Sequence, residues 1–196
     1  MSNCGLILLA AGSSTRMHQP KQSLPYQGTT LLQHSLQAAL AAEVYPVILV
    51  AGAGTNLVLP GQHGLRVVYN HEQKEGLAAS IRTGLAELRR EWPDRDRVIL
   101  MVCDQPHVTP ELLNSLIAAG TPGHIQIVAC AYKDTVGTPV LFKNTFYDEL
   151  AALNGDEGAK KIVLHHRDQT AVIPFPQGEI DIDTMADYQA LLSKQL

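Results

Sequence analysis

Short apolar runs of strand length alternate with longer segments of helical pattern along almost the whole chain. The apolar runs cover residues 6–9, 47–50, 66–69, 97–103, 125–132, 139–142 and 170–174. The helical segments cover residues 31–42, 77–91, 109–119, 145–153, 158–166 and 185–192. The apolar runs lack a clean alternation with polar residues, which is typical of strands that helices cover on both faces. This order predicts an α/β protein in which helices sandwich a mostly parallel central sheet.

The composition of the chain fits a single globular domain, which we expect to cover residues 1–196. Hydrophobic residues make up 45% of the chain and charged residues 17%, as in ordinary globular proteins. Lysine and arginine number 15 against 19 acidic residues, so the net charge is −4 and we expect neither nucleic acid nor a membrane as partner. The first apolar run is too short for a signal peptide or a membrane span, and we expect a cytoplasmic protein.

Three cysteines stand far apart in the chain and form neither a CxxC pair nor a zinc-binding spacing. We interpret Cys4, Cys103 and Cys130 as small buried hydrophobic residues of a protein in a reducing compartment. The eight histidines are scattered, and none accompanies a candidate nucleophile in a hydrolase motif. The sequence therefore gives no support for a catalytic triad.

The first strand runs into a loop of small residues, Ala10 to Met17, that is followed by Lys21. Small residues let backbone N–H groups approach phosphate oxygens closely. Arg16 could fork onto phosphate oxygens and Lys21 could act as a point charge. Neither the P-loop motif nor the dinucleotide-binding glycine pattern is present. From these residues alone, a phosphate-binding loop and a plain turn with two solvated cations both remain open.

Acidic residues follow two of the extended segments. Asp104 directly follows the strand of residues 97–103, and Asp183 ends a short extended segment near the end of the chain. Mg²⁺ takes one or two carboxylates and fills its octahedron with phosphate oxygens and water. We therefore expect Asp104 and Asp183 to share a metal ion, with Asp181 as a weaker supporting candidate. A turn or helix-capping role is the alternative for Asp104.

The stretch LAAGSSTRM at residues 9–17, with Lys21 and a Leu-Pro pair at 24–25, resembles the signature of the MobA-like NTP transferases. Within that family the chain is most similar to the molybdenum cofactor cytidylyltransferases. His18 departs from the pattern, which prefers glycine there. Further family elements follow in the same order, namely Asn70, Gly76 and Ser80, then residues 104–106, 137–139, 155–159 and 181–184. The resemblance implies a Rossmann-like fold of the nucleotide-diphospho-sugar transferase type.

The resemblance also implies roles for individual residues. Those expected to bind the nucleotide are Leu9, Ala10, Ala11, Gly12, Ser13, Arg16, Lys21, Asn70, Gly76, Ser80 and Asp104. Those expected to bind the acceptor are Gln105, Pro106, Gly137, Pro139 and Asp156. Arg16, Lys21 and Asp104 are expected to be catalytic. Asp104 and Asp183 are expected to bind Mg²⁺ or Mn²⁺. Helix capping remains the alternative for Asp156, and Asp187 is expected on a helix surface.

The implied reaction moves CMP from CTP to the phosphate of molybdopterin cofactor and releases pyrophosphate. The cytidylyl preference follows from the double alanine, Ala10-Ala11, which resembles the cytidylyl branch. A phosphate monoester is already largely dianionic near neutral pH, so such a reaction needs no general base. Another phosphorylated acceptor, such as a sugar phosphate or a phosphorylated alcohol, is one alternative. A non-catalytic carrier that hands cofactor or nucleotide to a molybdoenzyme client is the other.

Overall fold

The computed structural model describes residues 3–12, 17, 20–55, 62–121 and 123–193. The main sheet contains β1 (Cys4–Ala10), β4 (Val47–Gly52), β5 (Leu65–Asn70), β6 (Arg97–Val102), β7 (Ile127–Tyr132), β8 (Thr135–Lys143) and β9 (Thr170–Pro174). A small hairpin is formed by β2 (Pro25–Tyr26) and β3 (Thr29–Thr30). The helices are α1 (Leu31–Ala41), α2 (Leu77–Glu91), α3 (Pro110–Ala119), α4 (Tyr147–Ala151), α5 (Lys160–His165) and α6 (Met185–Ser193).

The seven strands of the main sheet lie in the order β5-β4-β1-β6-β8-β7-β9. β1 is paired in parallel with both β4 and β6, and β7 is paired in parallel with β9. β8 runs antiparallel to both of its neighbours, β6 and β7. The predicted mostly parallel sheet is confirmed, with β8 as the strand that reverses direction.

Helices cover both faces of this sheet, which explains why inner strands such as β1 and β4 are apolar along their whole length. On β1, Leu6 and Leu8 pack into a cluster with residues of α1 and α3, whereas Ile7 and Leu9 pack into another with residues of α2, α4 and α5. All seven residues of β1 are buried. The predicted three-layer sandwich is therefore confirmed. Within the described residues, no helix is long and apolar enough to cross a membrane.

The last helix returns to the loop region that follows β1. Ile182 is completely buried in a third cluster, where it meets Leu24 and Tyr26 near the hairpin and Tyr188 of α6. The Tyr188 hydroxyl donates a hydrogen bond to the Pro25 carbonyl oxygen. The Ile182 N–H donates to the Asp104 carbonyl oxygen at 3.0 Å. These contacts bring the end of the chain to the carboxyl end of β6.

The structure differs from the sequence prediction most clearly in β8. The prediction began this strand at Pro139, the first residue of the apolar run at 139–142. The strand begins instead at Thr135, and its register with β7 shifts between the pairs Ala129–Val140 and Cys130–Gly137. The extra residues at this irregularity, Thr138 and Pro139, lie in β8. Residues 145–153, predicted as one helix, form a 3₁₀ turn followed by the short α4.

Candidate functional site

A cavity of about 560 Å³ opens where β1 and β6 end side by side. Open parallel sheets bind ligands beyond the carboxyl ends of their strands, so the location is the expected one. β1 and the residues after it contribute Leu9, Ala10, Ala11 and Gly12, and the end of β6 contributes Val102, Cys103 and Asp104. The remaining lining residues are Lys21, Gln22, Lys74, Gly76, Leu77, Ser80 and Asp156. We call this space the donor cavity, for the role that we propose for it below.

Two of the nucleotide-binding candidates, Ser13 and Arg16, lie outside the described residues. The other members of the loop candidate set, residues 9–12 and Lys21, meet in the donor cavity. A Cβ atom built on Gly12 would lie 4.0 Å from Lys21 Cε, so the lysine stem passes beside the small-residue loop. The predicted juxtaposition of this loop with Lys21 is thus present in the structure.

Lys21 joins the two carboxylates that the sequence singled out. Its Nζ donates to Asp104 Oδ2 and, at 3.3 Å, to Asp183 Oδ1. The side chains of Lys21 and Asp104 are 15% and 17% exposed, so solvent screens their interaction only in part. Burial alone would lower the pKa of Lys21, but the charge and hydrogen bond of Asp104, with Asp183, raise that pKa above its ordinary value. Lys21 therefore stays charged at neutral pH and holds the two acidic side chains together.

The segment that carries Asp183 is fixed by the first turn of α6. Asp187 Oδ2 accepts hydrogen bonds from the Thr184 N–H and hydroxyl, both at 2.7 Å, and from the Asp183 N–H at 3.3 Å. The Thr184 hydroxyl in turn accepts from the Asp187 N–H at 3.2 Å. This reciprocal arrangement is a capping box. Asp187 lies on α6, half-buried, and its carboxylate caps the start of that helix in addition. The Thr-x-x-Asp spacing is the sequence signal for this capping role.

Asp181 stands close enough to the two carboxylates to feel their charge. Partial burial of its carboxyl group, followed by the charges of Asp183 and Asp104, raises the pKa of Asp181 above its ordinary value. The residue also lines a second cavity of about 300 Å³ on the other side of Asp104. Asp181 thus contributes negative charge to the site beside the Asp104–Asp183 pair.

This second cavity shares Val102 and Asp104 with the donor cavity. We call it the acceptor cavity, for the role that we propose for it below. Its other lining residues are Gln105, Tyr132, Lys133, Thr135, Thr138, Gly178, Glu179 and Asp181. Most of them come from the hairpin of β7 and β8 and from the turn before Asp181. Sequence reasoning missed Tyr132 and Thr138, although Thr138 lies inside the Gly-Thr-Pro element that it identified.

Gln105 supports the wall of the acceptor cavity. Its side chain is buried, and Nε2 donates to the Gly178 carbonyl oxygen at 3.1 Å. Its Oε1 accepts a hydrogen bond from the Thr138 hydroxyl at 3.0 Å. Since both ends of the amide have protein partners, Gln105 connects the end of β6 to β8 and to the turn at Gly178.

The other acceptor candidates lie in different places. A Cβ atom on Gly137 would lie within 2.2 Å of the Tyr132 hydroxyl oxygen, so a larger residue at position 137 would displace the Tyr132 side chain. Pro139 is buried within β8. The Pro106 carbonyl oxygen is hydrogen-bonded to His34 Nε2 at 3.0 Å, and Pro106 lines a separate surface hollow beside α1. Neither proline is among the described residues that line the acceptor cavity.

The entrance of α2 forms the wall of the donor cavity opposite the carboxylates. Gly76 precedes the helix with a φ of 107°, and a Cβ there would lie 2.4 Å from Asp156 Oδ1 and 2.5 Å from the Gly155 carbonyl oxygen. The Ala78 N–H donates to that same carbonyl oxygen at 3.1 Å. Gly76 therefore allows the 155–156 turn to approach the start of α2 and places Asp156 at the cavity.

The capping alternative for Asp156 was wrong, because α5 begins at Lys160 and Ala159 is its N-cap residue.

Asn70 and Ser80 form a buried pair, in which Asn70 Nδ2 donates to the Ser80 hydroxyl oxygen at 3.0 Å. Asn70 Oδ1 accepts from the Glu72 N–H at 2.8 Å. Of this pair, Ser80 lines the donor cavity. Asn70 thus orients Ser80 and the turn that leads to α2.

The donor atoms of the Asp104–Asp183 pair suit a hard divalent cation. Carboxylate oxygens are preferred by Mg²⁺ and Mn²⁺, which complete their coordination with phosphate oxygens and water. Among the described residues, no group of three or more His, Cys, Asp or Glu side chains is arranged to hold a metal. An ion at this pair would therefore take its remaining ligands from water or from a substrate.

Comparisons with known proteins identify the family of this chain. The model of the MobA-like NTP transferase domain matches residues 6–170. A probable molybdenum cofactor guanylyltransferase from Nostoc sp. is 34% identical over 194 residues, which cover 95% of this chain and 89% of that protein. Nicotine blue oxidoreductase from Paenarthrobacter nicotinovorans is 27% identical over 163 residues, with 79% and 78% covered.

Solved structures give the same result at the level of the fold. The crystal structure of Rv0371c from Mycobacterium tuberculosis is 36% identical, with a TM-score of 0.80 over 98% of this chain and 99% of that chain. Its complex with manganese is 34% identical, with a TM-score of 0.78 and 97% of each chain covered. The expected nucleotide-diphospho-sugar transferase type of fold is thereby confirmed.

Proposed function

Because the chain belongs to the MobA-like NTP transferase family, we propose that it transfers a nucleoside monophosphate from an NTP to a phosphorylated small molecule and releases pyrophosphate. The observation that carries this proposal is the position of Asp104. Its carboxylate lies between the donor cavity and the acceptor cavity and contacts Lys21. A group-transfer enzyme needs two substrates to meet at one charged centre, and this arrangement provides such a centre.

The donor cavity has the features of a triphosphate site. Its floor is formed by the small residues Ala10, Ala11 and Gly12, which permit close approach of phosphate oxygens to the backbone. Lys21 and Lys74 supply positive charge within the lining. Arg16, by its place in the sequence signature, is proposed to add a second phosphate contact. Base and ribose would then lie toward Gly76 and Ser80 at the start of α2.

Mg²⁺, or Mn²⁺ in its place, is proposed as the cofactor, with Asp104 and Asp183 as its protein ligands. A divalent ion there would neutralise charge on the transferred phosphate and the leaving group. The chain's own contribution is positional: Asp187 fixes the Asp183 segment, and the Ile182 N–H fixes it against the Asp104 backbone. The existence of a manganese complex of the related Rv0371c supports the choice of metal class.

The acceptor cavity is proposed to hold the phosphorylated acceptor. Among its described lining residues, Lys133 is the cation that could contact the acceptor phosphate, and Tyr132 and Thr138 offer hydroxyl groups. None of the described lining residues of either cavity is a histidine. A phosphate monoester with a second pKa of about 6 is already a nucleophile at neutral pH and needs no base.

We propose CTP as the donor and molybdopterin cofactor as the acceptor, which would serve a molybdoenzyme client. The double alanine at Ala10-Ala11 supports the cytidylyl choice, and the Nostoc relative supports a molybdenum cofactor as acceptor. Because that relative is named a guanylyltransferase, GTP is the main alternative to CTP as the donor. Cys4, Cys103 and Cys130 are buried thiols rather than disulfides, which supports a reducing compartment, and we propose the cytoplasm. The proposed unit of function is one domain over residues 1–196.

The test is pyrophosphate release from each of the four NTPs, with Mg²⁺ and one candidate acceptor at a time. Molybdopterin cofactor, a sugar phosphate and a phosphorylated alcohol are the acceptors, and Asp104→Asn is the inactive control. We expect release with CTP and molybdopterin cofactor. Release with GTP alone would replace CTP in the proposal, and release with another acceptor would replace molybdopterin. No release with any combination would favour the carrier.

A further inference from the structure

The ammonium group of Lys21 occupies the space between the two proposed metal ligands. Its Nζ contacts Asp104 Oδ2 and lies 3.3 Å from Asp183 Oδ1. A divalent ion bound by both carboxylates would need the same space, since metal ions and ammonium groups alike sit close to carboxylate oxygens. The lysine and the metal therefore compete for one position.

We propose that Lys21 keeps a divalent metal from binding Asp104 and Asp183 until a triphosphate draws the ammonium group away. This inference rests on the proposed function, because it takes those two carboxylates as metal ligands and the donor cavity as the triphosphate site. It adds an order of events: metal binding follows, or accompanies, nucleotide binding.

The position of the lysine stem allows such a transfer. Lys21 lines the donor cavity, and its Cε lies 4.0 Å from the position of a Cβ built on Gly12. A phosphate held at the backbone of Gly12 would therefore lie within reach of a flexible lysine whose ammonium carries three donors. The carboxylates released by this movement would face a metal that brings its own phosphate ligands.

The surroundings of the pair make the exchange necessary. The Lys21 and Asp104 side chains are 15% and 17% exposed, so an ammonium and a divalent ion at this place would repel each other with little screening. Asp187 and the Ile182 N–H hold the backbone of the Asp183 segment beside Asp104 through contacts that do not involve Lys21. The lysine is the movable member of the cluster.

The test measures Mn²⁺ binding without any nucleotide, by electron paramagnetic resonance of the free ion. Wild type, Lys21→Met and Lys74→Met are compared, because Lys74 lines the same cavity and its loss changes the charge by the same amount. We expect Lys21→Met to bind Mn²⁺ at least about tenfold more tightly than wild type. Lys74→Met should stay within about twofold of wild type.

Two further variants keep the result interpretable. Lys21→Gln leaves a hydrogen-bond donor beside the carboxylates and replaces Lys21→Met if circular dichroism shows the latter to be unfolded. The double variant Lys21→Met with Asp104→Asn should lose the gain, which places the bound ion at this pair. Equal or weaker Mn²⁺ binding in both neutral variants would overturn the inference, as would a gain that survives Asp104→Asn.

This measurement is independent of the transfer reaction. A protein that releases no pyrophosphate with any NTP would contradict the proposed function, yet the comparison of Lys21→Met with wild type would still decide whether the lysine excludes the metal. Conversely, an active enzyme whose Lys21 variants bind Mn²⁺ no more tightly than wild type would keep its proposed function and lose only the order of binding.

Discussion

Asp104 is central to the proposed site, because its side chain borders both cavities and accepts a hydrogen bond from Lys21. Its position follows from a simple local cause. The apolar strand β6 ends at Val102, and the chain leaves the sheet at the edge where β1 also ends. A carboxylate two residues beyond that strand is therefore delivered to the cleft without any special loop.

Asp104→Asn should lower turnover by at least about a hundredfold while the fold stays intact, because it removes a key electrostatic group from the site. Pyrophosphate release measures turnover, and circular dichroism checks the fold. Asp148→Asn on α4 is the matched control, since its side chain is 88% exposed and its loss removes the same charge. Turnover in Asp104→Asn close to that of the Asp148→Asn control would show that Asp104 lies outside the reaction.

At the scale of elements, short segments at the ends of helices place the functional groups. The capping box at the start of α6 holds the Asp183 segment. The positive φ of Gly76, the N-cap residue of α2, allows that helix to start beside the donor cavity. Each device is local in sequence, but each serves a contact between distant parts of the chain.

Asp187→Ala should lower the free energy of unfolding by about 0.5–2 kcal/mol, because the Thr184 and Asp183 N–H groups lose their acceptor. Turnover should fall as well, since Asp183 is no longer fixed. Asp187→Asn keeps an acceptor oxygen and should lose less of both. Urea unfolding and pyrophosphate release provide the two measurements. If the alanine and asparagine variants behave alike, the capping interaction does not control Asp183.

Gly76→Ala should destabilise the protein by about 1–3 kcal/mol, the range for a residue forced into an unfavourable backbone region. Its φ is 107°, and the new Cβ would lie 2.4 Å from Asp156 Oδ1. Gly123→Ala is the control, because a Cβ at Gly123 meets nothing within 4 Å. Thermal unfolding of both variants, with nucleotide affinity measured by calorimetry, tests this. Equal melting temperatures for the two variants would contradict it.

The sequence predicted the elements well where apolar periodicity was strong, as in β1, β6 and α2. It also predicted which end of the sheet carries the site, because parallel strands must end together. It could not predict that β8 runs antiparallel, since periodicity carries no information on strand direction. Nor could it predict that Lys21 contacts the two carboxylates, because Lys21 is separated by 83 positions from Asp104 and by 162 positions from Asp183. Such long-range contacts depend on packing, here on the burial of Ile182 against Leu24 and Tyr26.

At the scale of the whole molecule, the three buried cysteines link stability to pH. Burial raises the pKa values of Cys4, Cys103 and Cys130 from 9.0 to about 12. Between these values the unfolded chain loses thiol protons that the folded chain keeps, so the folded state becomes less favourable as pH rises. Well below pH 9.0 the thiols are protonated in both states and contribute no pH dependence.

The free energy of unfolding should therefore fall as pH rises above about 9, by at most about 1.4 kcal/mol per pH unit for each thiol. Cys130→Ala should show a shallower decline than wild type, because one of the three thiols is gone. Urea unfolding at several alkaline pH values, with a reducing agent present, gives the slopes. Parallel slopes for the two proteins would mean that Cys130 does not take part, whatever the absolute stability of the variant.

The reversed strand β8 makes the two cavities depend on different parts of the chain. Since β8 starts where β6 ends, the tight turn between β7 and β8 at Lys133 and Asp134 projects over the acceptor side. The donor side is built from β1, the loop after it and the entrance of α2. Under the proposed function, lengthening that turn would alter which acceptor fits and leave the choice of nucleotide as it is.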